Sequence, residues 1–103
     1  MDVEPGANPD QDAALRRLLT IAQSDTGQSK RVANFLLAWW NAQACGGFDL
    51  TELWAVEGPI ADDMLAVLGL IARGREFPSA YALGGAFEQL VTRWRPGVVL
   101  AHR

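Results

Sequence analysis

Residues 32–44, VANFLLAWWNAQA, constrain this chain more than any other stretch. At helical period they carry two overlapping apolar faces, with Val32, Phe35, Leu36, Trp39 and Gln43 on one and Ala33, Leu37, Trp40 and Ala44 on the other. Only Arg31, Asn34, Ala38 and Asn41 form a narrow strip outside them. A helix that is apolar round most of its circumference has to be covered round most of it, so the pattern predicts a central helix with the rest of the chain packed about it. Asp25 with Gln28 has capping-box spacing for its start, with Thr26 as the rival N-cap, and Gly46 and Gly47 supply the backbone that ends it.

The remaining segments repeat the helical period. Leu15, Leu18, Leu19 and Ala22 follow i, i+3, i+4 and i+7, which predicts a first helix from an N-cap at Asp12 to about Gln23. Asp49 and Glu52 are spaced as a capping box ahead of Leu50, Leu53 and Trp54, enough for one or two turns. Pro59 suits the first position of another helix, with Asp62 and Asp63 expected in its first turn and Ile60, Met64, Val67, Leu68 and Ile71 on its buried face. Arg73 and Gly74 end it, and Gly69 inside it, at a cost of about 1 kcal/mol relative to alanine, implies close approach of another helix. Residues 75–85 form a connector with a brief helical turn at 80–83. Phe87, Leu90, Val91 and Trp94 then define a last helix, stopped by Pro96 and Gly97.

No segment alternates with period two, so the fold class expected is all-α: a small single-domain bundle of three main helices plus one or two short ones. A length of 103 residues, half of them hydrophobic, suits one packed domain and excludes disorder. That domain is expected at 12–96, between a flexible acidic tail at 1–11 and a C-terminal tail at 97–103.

Side-chain inventory excludes most chemistry. The single cysteine, Cys45, has no disulfide partner, and the single histidine, His102, is next to last. A Cys–His dyad is not expected because His102 lies in the C-terminal tail, a serine triad needs a histidine in the core, and a zinc site needs more ligands than one cysteine and one histidine, so no catalytic residue, metal or cofactor is expected. Asp62 and Asp63 are adjacent, about 100° apart on a helix, and do not converge on a cation. Gly84 and Gly85 open a helix with no phosphate-loop pattern around them. No apolar run is long enough to span a membrane, and residues 1–12, acidic with Pro5 and Pro9, do not read as a signal peptide; a cytoplasmic protein is expected.

Charge carries more information than any motif. Nine basic and twelve acidic residues give a net charge of −3, and residues 49–72 hold Asp49, Glu52, Glu57, Asp62 and Asp63 with no basic residue among them. These five acids are the candidate partner-binding residues, forming a negative surface that attracts a basic protein, with an exposed tryptophan beside them as a possible anchor. The alternative is nucleic-acid binding through a helix-turn-helix-like segment at 13–44, with Gln28, Lys30, Arg31 and Asn34 at the start of its second helix. The net negative charge opposes that alternative, and the turn glycine, Gly27, falls one position late for the usual register. The broad apolar helix fits a monomer or a homodimer equally.

The stretches SDTGQSKRVANFLLAWWNAQACGGFDLTELW (24–54), IADDMLAVLGLIARG (60–74) and FEQLVTRWRP (87–96) resemble an uncharacterised family of small proteins carried on proteobacterial plasmids, integrative elements and prophages. The connector, with Phe77, Pro78, Ser79 and Tyr81, departs from the tyrosine-proline-aspartate turn of that family. The resemblance implies a bacterial host cytoplasm and brings no catalytic residues. In size, acidity and setting the chain is also similar to the type I anti-CRISPR inhibitors. That similarity implies a non-enzymatic module binding a type I Cas protein, in the surveillance complex or its Cas3 nuclease, with a DNA-binding or plasmid-maintenance accessory factor as the alternative.

Overall fold

The structure is a computed structural model and describes residues 8–99. Its elements run α1 (Pro9–Ala22), α2 (Gly27–Cys45), the 3-10 helix η1 (Leu50–Ala55), α3 (Gly58–Gly74), a second 3-10 helix η2 (Pro78–Tyr81) and α4 (Gly84–Trp94). The all-α class stands, with no strand among the described residues, but the helix count is corrected from three main helices to four. The fourth is α4, whose 11 residues bury Phe87, Leu90 and Val91 and make it a full member of the core.

α2 is the central element. Val32, Ala33, Leu36, Leu37 and Trp40 are wholly buried along it. α1 packs on α3 and α2, and α4 packs on α2 and η2. The molecule is 20 Å through its thinnest dimension, about two helix diameters.

Local chemistry sets the boundaries, and several differ from the sequence expectation. α1 begins at Pro9 and not after Asp12, because the Asn8 side chain accepts from Gln11 N at 2.8 Å and the proline occupies a first-turn position where its missing N–H costs nothing. Thr26, the rival N-cap, is the one that starts α2, its hydroxyl accepting from Ser29 N at 3.0 Å. Gly46, at φ 95°, closes that helix in a backbone conformation that side chains rarely adopt. Inside α2 the ladder breaks at Asn41 (φ −168°, ψ 88°), whose side chain accepts from Ala44 N and caps a separate last turn.

α3 corrects two expectations. Asp62 and Asp63 lie beyond its first turn, which starts at Gly58, so dipole complementation does not explain them. Leu70, not Leu68, completes the buried face with Ile60, Met64 and Val67, because α1 covers the Leu70 side and leaves Leu68 46% exposed. The close approach expected at Gly69 is present: a Cβ there would stand 3.2 Å from the Gln11 side-chain nitrogen on α1. The brief turn in the connector is η2, two residues earlier than expected. Expectations for residues 1–7 and 100–103, including His102 and Arg103, lie outside the described residues.

Candidate partner-binding surface

η1 is laid across the one polar strip of α2. Asp49 caps it by accepting from both the backbone N–H and the hydroxyl of Thr51, at 2.9 and 2.8 Å, and these two bonds hold its carboxyl below the ordinary carboxylate range. Glu52, expected to close a capping box, turns inward instead: it accepts from Asn34 Nδ2 at 3.2 Å and pairs with Arg31 at 3.8 Å. The Glu57 N–H at the far end of η1 donates to Gln28 Oε1 at 2.7 Å. Phe48, just ahead of η1, packs edge-on against Phe35 of α2 with ring centroids 5.3 Å apart.

Tethered in this way, η1 turns two of its large apolar side chains to solvent. Trp54 is 84% exposed and Leu50 is 68% exposed. The other tryptophans are held: Trp40 is wholly buried, Trp39 donates to Glu76 O at 3.0 Å, and Trp94 donates to Ala22 O at 2.8 Å. Between η1, α2 and α3 lies an apolar cavity of about 240 Å³, lined by Phe35, Trp39, Phe48, Leu50, Leu53 and Leu68 among others. The expectation of one tryptophan at a surface edge thus falls on Trp54. On this 3-10 helix it stands above Thr51, three residues earlier and also exposed.

The five acidic candidates divide into two groups. Asp49, Glu57 and Asp62 are exposed, and Glu57 and Asp62 form no ion pair among the described residues. Glu52 is spent on Arg31 and Asn34, while Asp63 holds Arg17 of α1 through two bonds at 2.9 and 2.8 Å, keeping that guanidinium more firmly protonated.

The four residues of the helix-turn-helix-like reading are also placed. Gln28 and Arg31 bond to η1 and its end, and Asn34 bonds to Glu52 and to Arg95 at 2.7 Å. Of the four, Lys30 alone is exposed. The segment at η1 thus engages the side of α2 that carries Gln28, Arg31 and Asn34. Cys45 is buried, and burial pushes its thiol up from the ordinary value, with the nearby Arg95 opposing. No group of three or more His, Cys, Asp or Glu side chains able to hold a metal occurs among the described residues, and no helix there is long and apolar enough to cross a membrane.

In comparison with known proteins, residues 12–95 match DUF7673, a family of unknown function. No curated protein and no solved structure matches the chain.

Proposed function

The chain belongs to the DUF7673 family, and we propose that it is a non-enzymatic protein-binding module that docks a basic partner on the surface around η1. The observation that carries this reading is Trp54, 84% exposed on an element otherwise tethered by hydrogen bonds. A large aromatic side chain exposed to this degree gains by burial in a partner's pocket, and such residues anchor interfaces. Asp49 and Glu57 flank it on the same short segment, which supports steering of a cationic surface.

The partner we propose is a type I Cas protein of a bacterial host, in the surveillance complex or its nuclease, where guide RNA and target DNA are held on basic surfaces. The size and charge that the chain shares with type I anti-CRISPR inhibitors support this choice, as does its resemblance to proteins of mobile elements. In this mechanism the carboxylates compete with phosphates for the partner's cations, and Trp54 supplies the residence time that charge alone lacks.

The test is phage plaquing on bacteria with active type I immunity, with and without the expressed protein. The reading expects restored plaquing by the native chain and loss of that effect in Trp54→Ala and in Asp49→Lys/Glu57→Lys. Restoration that survives both variants overturns the surface, and no restoration in any type I system overturns the target. Salt-sensitive binding to duplex DNA that is weakened by Lys30→Glu would return the chain to the nucleic-acid reading.

A further inference from the structure

One face of α3 is covered only in part: its Leu65 and Leu68 border the cavity toward η1 and α2, and Gly69 beside them meets Gln11 of α1. Leu65 is 56% exposed and Leu68 is 46% exposed at the middle of that face, on a helix whose opposite side is packed against α1 and the core. Toward the N-terminal end of the same face stands Asp62, and toward the C-terminal end Arg73; both are exposed and neither forms an ion pair among the described residues. Their spacing of eleven residues is three helical turns to within about 20°, so the two opposite charges lie on one line roughly 16 Å apart with the leucines between them.

That arrangement is self-complementary. When two copies of α3 run antiparallel about a twofold axis near residues 67–68, each Asp62 comes level with the other copy's Arg73, on the same flank of the contact. Leu68 then meets its own counterpart, and Leu65 comes near Ala72 of the other copy, whose small side chain leaves room. A parallel pairing places like charges together and offers no such match. We infer that this face is a homodimer interface, an isologous antiparallel α3–α3 contact closed by two Asp62–Arg73 pairs. It involves neither Trp54 nor Asp49, although Leu68 and Leu50 of η1 line the same cavity.

The test is sedimentation velocity of the full chain over a hundredfold concentration range up to about millimolar, where even weak dimers populate. The inference expects a concentration-dependent dimer. Asp62→Arg or Arg73→Asp alone, each creating two like-charge contacts, weakens it by about tenfold or more, and the double exchange Asp62→Arg/Arg73→Asp restores it. Leu68→Glu abolishes it, whereas Trp54→Ala leaves it unchanged. Circular dichroism checks that these surface variants keep the helical fold. A chain that stays monomeric throughout overturns the inference, as does a dimer indifferent to Leu68→Glu or one that the double charge exchange fails to restore.

Discussion

Arg95 and Asn34, 61 positions apart in the chain, are joined by a 2.7 Å hydrogen bond from the guanidinium to the amide oxygen. The same guanidinium donates to the Cys45 and Trp94 carbonyls at 2.9 and 3.0 Å, and Asn34 passes the connection on to Glu52 of η1. One side chain thus fastens the end of α4, the end of α2 and the base of the exposed Trp54 platform. Replacing it by alanine strands three acceptors in a half-buried setting; the expected loss is about 2 kcal/mol, or roughly 10 °C in Tm, by thermal unfolding. Lysine, with one charged point in place of a planar fork, is expected to recover less than half of that loss.

Gly46→Ala is expected to destabilise by about 1–3 kcal/mol in denaturant titration, although a Cβ there meets nothing within 4 Å. The cost is purely conformational, from φ 95°, so Gly47→Ala, equally open in space and without a positive φ, is expected to cost far less. Equal costs at the two positions would contradict this.

Cys45 is expected to resist a soluble disulfide reagent in the native state and to react at a rate that follows unfolding. Its thiol is raised by burial, so the folded state holds that proton more tightly than the unfolded state does. Stability from this group is therefore full below the unfolded thiol pKa and declines as pH rises through it toward the folded value. The difference in denaturant midpoint between the native chain and Cys45→Ala is expected to stay constant at neutral pH and to change only in the alkaline range.

Asp49 has the opposite sign. Its carboxyl lies below the ordinary range through the two Thr51 bonds, so its contribution is present above the unfolded carboxylate pKa and is lost as pH falls through the folded one. Carboxyl titration by NMR is expected to place its midpoint below the ordinary aspartate value. Thr51→Val, which removes the hydroxyl donor and keeps the backbone one, is expected to raise it part of the way back.

How far the sequence could be read depended on how many answers each pattern allowed. α2 was legible because a circumference bearing Val32, Phe35, Leu36, Leu37 and Trp40 admits only a central position. α3 was not, since Leu65, Val67, Leu68, Leu70 and Ile71 offer apolar residues in nearly every direction, and the choice of Leu70 over Leu68 was made by where α1 docks. Helix starts misled where polar residues had two uses: Asn8 and Pro9 have the composition of a tail yet form a cap, and Glu52 has the spacing of a cap yet binds across the fold to Asn34. At the candidate surface the acidic run was visible, but its division into exposed and internally spent members depended on Arg17, Arg31 and Asn34, which only the tertiary arrangement brings near. Trp54 could be singled out as the exposed tryptophan only from the tertiary arrangement.

The break at Asn41 bears on how the molecule tolerates change. In an uninterrupted helix an inserted residue rotates everything beyond it by about 100°. Here the turn after Asn41 takes its phase from its own cap and from the Arg95 bond to Cys45, so a length change at 42–47 need not be transmitted back to the buried face ending at Trp40. The segment between α2 and η1 can therefore lengthen or shorten while the buried face ending at Trp40 keeps its register.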